Sequence, residues 1–322
     1  MPTLTLRLAS VVLGLAATIA PAVPAGATPA QLPTAHTWDD VVAQANAPTA
    51  GNSAFRCFKL EELTYCLGFG FVDQLPSAAQ LREPVAGQAT GAQSPQQFAA
   101  ERAALPKDAR LQAELAELRS AWDGRAKARA MTASTIAEVV PDSYYIMAGY
   151  QTSQEKGYWC GPATFQSIDW ADDDQKDTQT SWAADLGTTT SGTSITAMVD
   201  QANVKTDWDV AAGTYIVQSV SSWTSAKFLD VHRNHLGDGT PAPIIEHPQL
   251  LKRYFPYLAF DHSGHFQVGR GYDSTAGTIG IFEVFDEHRF NSAGNVTDGP
   301  KNIPASAMFN ATLANQFQNI GL

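Results

Sequence analysis

The sequence predicts an α+β chain, with a mainly helical region first and antiparallel strands with short helices after it. Three observations carry this. Phe98, Leu105, Leu111, Leu115, Leu118 and Trp122 recur at about helical spacing among Glu, Arg and Lys across residues 96–130. The composition changes near residue 132, after which short apolar runs bounded by turn residues alternate with short helical patterns. His265–Tyr272 and Gly277–Phe285 read as two strands joined by a turn around Asp273-Ser274. Helices followed by strands, rather than regular alternation of the two, is the α+β order.

The remaining elements follow along the chain. Residues 1–27 read as a secretory signal peptide: Arg7 precedes the apolar run Val11–Ala20, and Ala25-Gly26-Ala27 is a small-residue cleavage pattern. Pro21 and Pro24 close that run short of the roughly 20 residues a membrane span needs. No stable membrane anchor is expected after cleavage, and the mature protein is expected to be secreted. Residues 28–135 form an N-terminal region with the cysteine pair and the long helical stretch, open to reading as a pro-segment. Within it lie an Ala/Pro/Thr-rich lead-in, a small strand pair over 51–75, a linker over 76–97 and the long helical stretch. Residues 136–322 form the second domain, large enough for its own core. Its expected elements are a strand over 143–148, a helix over 161–170 opening on Pro162, helices over 194–202 and 221–235, and a strand over 242–246.

Composition narrows the function. The chain has 322 residues, is 44% hydrophobic and 16% charged, and carries a net charge of −11. That is a globular balance with no basic patch, which argues against nucleic acid as a partner. Nothing in the sequence asks for a cofactor, and a monomer is expected.

The three cysteines divide unequally. Cys57 and Cys66 are close in sequence among Phe55, Phe58 and Tyr65, and export permits a disulfide between them. Cys160 is left over, and a lone thiol in an oxidising compartment is either buried or used. It stands in Gln154-Glu155-Lys156-Gly157-Tyr158-Trp159-Cys160-Gly161-Pro162-Ala163, at the start of the expected helix. Unpaired N–H groups and the helix dipole favour an anion there, which predicts a lowered thiol pKa and a nucleophile. The Cys160 N–H and the Gln154 side chain are the expected oxyanion donors.

A thiol nucleophile needs a base, and the base needs an orienting group. His265 opens a strand after Gly264, and Asp286 ends the next one. Neighbouring antiparallel strands would bring Asp286 to the imidazole, with Asp273 in reserve. The weaker clusters have plainer readings. His232 and His235 are three apart, which can suit a metal, yet a solvated helix face is the expectation. Asp261-His262-Ser263-Gly264-His265 lacks a third zinc ligand, and Asp172-Asp173-Asp174 lacks a calcium-loop pattern. No metal is expected.

Gln154, Cys160-Gly161-Pro162-Ala163, Gly264-His265, Gly271-Tyr272-Asp273 and a following Asp286 resemble the papain-like fold. In detail the chain resembles bacterial cysteine peptidase family thirty-nine over roughly residues 140–300. Relatives include bacteriocin-leader (double-glycine) peptidases and secreted actinobacterial proteins of the same type. The resemblance implies a helical part carrying the nucleophile Cys160 and an antiparallel sheet carrying the base His265 and the orienter Asp286. It places Gln154 in the oxyanion hole, and the implied substrate is a peptide, protein or isopeptide. The leader peptidases are fused to transporters, and this chain shows no transporter segment, so leader processing is not implied. Two other classes of function stay open: a non-catalytic binding module on the same fold, and acyl transfer of the transglutaminase kind.

Overall fold

The computed structural model describes residues 32–47, 55–77, 80–81, 90–133, 140–208 and 214–322. The expected signal peptide lies outside them. In order, the elements are β1 (Thr34–Ala35), α1 (Trp38–Asn46), β2 (Cys57–Leu60), β3 (Leu63–Cys66), β4 (Gly70–Val72), α2 (Pro95–Ala104), α3 (Lys107–Asp123), α4 (Arg125–Ala133) and β5 (Ser143–Tyr145). There follow α5 (Cys160–Asp173), α6 (Gln179–Asp185), α7 (Ile195–Lys205), β6 (Val217–Ser219), α8 (Ser225–Gly237), β7 (Ile244–Glu246), β8 (Gln267–Asp273), β9 (Thr278–Glu283), α9 (Glu287–Phe290), β10 (Gly299–Pro304), α10 (Ala305–Ala314) and β11 (Asn319–Gly321). The mixed α+β composition agrees with the expectation.

The strands make one sheet in the order β1-β2-β3-β4-β6-β11-β7-β8-β9-β10, with β5 added on β8. Most neighbours are antiparallel. The exceptions are β1 with β2, and β4 with β6 through Phe71 and Gln218. The small strand pair expected over 51–75 is β2–β4, and the Cys57–Cys66 disulfide closes the open end of the β2–β3 hairpin. Its tight end turns through Glu61, which takes a left-handed φ of 56°. The Glu61 carboxylate is paired with Arg125 and Arg129 of α4, so the turn is tied to a helix distant in sequence.

The long helical stretch of 96–130 is broken into α2, α3 and α4. Ser94 caps α2 in a reciprocal box with Gln97, and Pro95 takes the first turn. Leu105 is extended because Pro106 follows it, and a residue before proline is pushed out of the helical region. The second break falls at Gly124, where an added Cβ would lie 2.2 Å from the Ile216 side chain. Close packing on β6 therefore requires glycine there, at the expense of helix continuity.

Two apolar groups lie around the β6–β10 part of the sheet. One gathers Phe165, Trp182, Met198, Phe266 and Phe282 around α5–α7. The other gathers Phe228, Phe255, Phe285 and Met308 around α8 and α10. The α8 face expected to be solvated is not. His232 and His235 are buried, with His232 Nδ1 2.7 Å from the Phe228 carbonyl and Nε2 2.5 Å from Glu246 Oε1. The three-residue spacing that suggested a polar stripe is the core face of this helix, and β7 supplies the carboxylate. Among the described residues no helix is long and apolar enough to cross a membrane.

Candidate active site

Helix α5 places the thiol. It starts at Cys160 with no side-chain cap, and residues 160–169 are buried, so it runs through the interior. Gly161 allows this approach: a Cβ there would fall 2.4 Å from Thr193 Oγ1. The Thr164 hydroxyl donates to the Phe266 carbonyl at 3.1 Å. The first turn of α5 is thus fastened to the residue after His265. Cys160 is the free cysteine, and its side chain is fully buried.

Burial decides the charge state of this thiol. It pushes the Cys160 pKa up, and the Glu283 carboxylate adds to the rise. The Phe266 and Gly161 N–H groups oppose the shift without cancelling it. The lowered pKa expected from the helix start is therefore overturned. Helix ends contribute at most about 2 kcal/mol, and desolvation of a fully buried thiolate outweighs that.

His265 is also fully buried. Its N–H donates to the Pro248 carbonyl at 2.9 Å, which holds the backbone just ahead of β8. Its Nε2 lies 2.7 Å from Glu283 Oε1, and Nδ1 has no hydrogen-bond partner. Neither Asp286 nor Asp273 fills the orienting place. Asp286 caps α9, accepting from the His288 and Thr297 N–H groups, and Asp273 accepts from the Ala276 N–H in the β8–β9 turn. The reason is strand parity. Val268 faces Phe282 in the β8–β9 register, so Glu283 falls beside Gln267 on the face that also carries His265. Asp286 lies three positions on, of opposite parity and beyond the strand end.

Glu283 is well satisfied as an anion. Oε1 also accepts from the Phe285 N–H at 2.9 Å, and Oε2 accepts from Tyr257 Oη at 2.8 Å and Gln267 Nε2 at 2.6 Å. Burial alone would raise its pKa. The neighbouring His265 and these donors outweigh that and hold the carboxyl below its ordinary value. A buried glutamate in the apolar strand Thr-Ile-Gly-Ile-Phe-Glu was the signal open to sequence reading, because a buried charge must be paired.

Two more imidazoles lie nearby. His262 pairs with Glu287 Oε1 at 2.6 Å, which accounts for the Asp-His-Ser-Gly-His run without a metal. His247 stacks on Phe266 with ring centres 4.6 Å apart, and its Nδ1 lies 2.8 Å from Asn319 Oδ1. Burial lowers its pKa to about 4, so it is neutral at physiological pH. Among the described residues no group of three or more His, Cys, Asp or Glu is placed to hold a metal ion.

Gln154 is buried six residues before Cys160. Its N–H donates to the Val284 carbonyl at 2.7 Å, which places it against the strand that carries Glu283. Its Nε2 donates to the Lys156 carbonyl at 2.8 Å and, at 3.5 Å, to the Thr90 carbonyl. The Cys160 N–H donates to that same Thr90 carbonyl at 3.3 Å. Cys160, His265 and Gln154 are thus brought into one buried cluster, with Glu283 rather than an aspartate on the imidazole.

A search of curated proteins returns no match to the chain. A family model described as Peptidase_C39 like family matches residues 149–305, a span that holds Gln154, Cys160, His265 and Glu283. By this match residues 149–305 of the chain, which carry the cysteine, histidine and glutamine, are similar to the Peptidase_C39 like family.

Proposed function

We propose that this protein is a secreted cysteine hydrolase of peptide or isopeptide bonds, on a papain-like arrangement. Cys160 is the nucleophile, His265 the base, Glu283 the orienting carboxylate, and Gln154 with the Cys160 N–H the oxyanion donors. One observation carries the reading. The Thr164 hydroxyl, in the first turn of the helix that Cys160 opens, donates to the Phe266 carbonyl, next to a histidine whose Nε2 is fixed by Glu283 and whose Nδ1 makes no hydrogen bond. A carboxylate on one ring nitrogen fixes the tautomer and leaves the other to take the thiol proton.

The chemistry follows in two steps. As Cys160 Sγ bonds the substrate carbonyl carbon, its proton passes to His265 Nδ1, and the carbonyl oxygen gathers charge between the two donors. The C–N bond then breaks, His265 returns the proton to the leaving amine, and a thioester remains. Water, losing a proton to His265, attacks the thioester carbon, the C–S bond breaks, and His265 returns the proton to Cys160 Sγ as the acid is freed. Loss of one oxyanion donor costs about 100- to 1000-fold in rate. The Cys57–Cys66 disulfide and the apolar N-terminal run support export.

A profile of cleaved peptides from a mixed library, read by mass spectrometry with Cys160→Ala as control, tests this reading. Incorporation of a primary amine in place of water would move the assignment to acyl transfer. The second reading, a binding module, rests on the full burial of Cys160 and its raised pKa. A folded protein that cleaves nothing and does not react at Cys160 once the site is opened would favour it.

A further inference from the structure

The Thr90 carbonyl lies where a substrate oxygen would lie. It accepts from the Cys160 N–H at 3.3 Å and from Gln154 Nε2 at 3.5 Å, the two groups that the hydrolase reading assigns to the oxyanion hole. Nothing in the local sequence requires this contact, since Thr90 is 64 residues from Gln154.

The segment around Thr90 is held by its backbone on two sides, as an added strand would be. On the His265 side, the Thr90 N–H donates to Ser263 Oγ at 3.0 Å, and Thr90 Oγ1 and the Ala92 N–H donate to the Gly264 carbonyl at 2.7 and 3.2 Å. On the α5–α7 side, the Thr193 N–H donates to the Gly91 carbonyl at 2.7 Å, and the Gln93 N–H donates to the Thr193 carbonyl at 2.9 Å. Ala92 and Thr193 form a parallel bridge. Backbone bonds supply affinity, and side-chain size supplies selection, when a peptide is bound in this way.

The size limit falls on Gly91. Its φ is 116°, and an added Cβ would lie 2.2 Å from the Tyr158 carbonyl oxygen and 3.1 Å from the Cys160 nitrogen. No L side chain fits without moving the segment or the turn ahead of α5. With the segment in place, Thr90, Gln154, Cys160 and His265 are all fully buried, so a substrate has no path to the thiol.

We infer that residues 90–93 are a tethered peptide occupant of the active-site cleft, which keeps the resting protein latent and marks the cleft as one for an extended peptide with glycine after the seated carbonyl. This rests on the hydrolase reading for the identity of the cleft. A tethered segment meets its site at an effective concentration on the order of millimolar, so a free substrate competes poorly until the segment lifts. Lifting it leaves α2 anchored, because Phe98 packs on Phe55 and Phe317 independently of residues 90–93.

Gly91→Ala tests the inference on the full chain, with Cys160 alkylation by iodoacetamide as the readout. Cys57 and Cys66 are joined, so Cys160 is the thiol that reacts. The variant, checked as folded by circular dichroism, is expected to label at least about tenfold faster than wild type, as a freed cleft exposes the thiol. A synthetic peptide of residues 89–94 is expected to slow that labelling. Should Gly91→Ala not fold, the double variant Thr90→Val/Ser263→Ala removes the two side-chain anchors on the His265 side, leaving the Ala92 N–H bond to Gly264, and is expected to act the same way. Folded variants that label at the wild-type rate would overturn the inference. Faster labelling without peptide cleavage would sustain the inference and count against the hydrolase reading. Wild-type cleavage of peptides with unchanged labelling in the variants would do the reverse.

Discussion

Glu283 Oε1 lies 2.7 Å from His265 Nε2, and both side chains are completely buried. The pair is braced from behind, since Tyr257 and Gln267 donate to the other carboxylate oxygen. The imidazole is therefore held at one nitrogen by a four-residue network that reaches from β8 to the loop before it. The carboxylate on this imidazole is a glutamate at the end of β9, and Asp286 is a helix cap.

Replacing the two carboxylates separates these roles. Glu283→Gln keeps the shape but offers an amide to the histidine, and a carboxylate-to-amide change at such a position costs up to about 10000-fold in kcat. A loss of at least about 100-fold is expected here, with KM little changed. Asp286→Asn should retain activity within about threefold, since its partners are the backbone N–H groups of His288 and Thr297. Steady-state kinetics on one peptide substrate checks both.

Gln154→Ala should lower kcat by about 100- to 1000-fold while leaving iodoacetamide labelling of an opened site unchanged. An oxyanion donor acts on the tetrahedral intermediate and not on alkylation, so the two readouts part. A parallel fall in both would mark Gln154 as structural, through its side-chain bond to the Lys156 carbonyl.

The legible part of this site was its short-range part. The Cys-Gly-Pro-Ala turn, the glutamine six residues ahead and the glycine before His265 are local patterns, and each lies in or beside the buried cluster. The orienting residue depends on the β8–β9 register, and register turns on one residue of parity that turn chemistry around Asp273 did not fix. Helix breaks at Pro106 and Gly124 were harder to weigh against a strong apolar period, and Gly124 is explained only by its contact with Ile216. The Thr90 contact is a meeting of segments far apart in sequence, and no local pattern announces it.

The Cys57–Cys66 bridge closes a short loop at the open end of a hairpin. Loop-closure entropy for about ten residues is worth about 2–3 kcal/mol. The double variant Cys57→Ala/Cys66→Ala should lower the melting temperature by several degrees in calorimetry, and reductant should do the same to wild type but not to the variant.

Asp200 gives stability a pH dependence. Burial first, and then the Glu117 charge, raise its pKa to about 7, while a hydrogen bond to Ser120 opposes them. The folded value lies above the unfolded one, so ionisation favours the unfolded chain. The penalty is absent below about pH 4, grows as pH rises, and is complete above about pH 7. Asp200→Asn should therefore stabilise the protein at pH 8, on the order of 2 kcal/mol after allowing for screening, and change little at pH 4. Urea melts at the two pH values check the sign.

Peptide cleavage by wild type, Gly91→Ala and Gly91→Ala/Cys160→Ala, measured side by side by mass spectrometry on one peptide library, tests the central claim most directly. The account predicts cleavage by Gly91→Ala, slower cleavage by wild type, and none by the variant without the thiol. Cleavage that survives the loss of Cys160, or folded wild type and Gly91→Ala proteins that cleave no peptide, would contradict it.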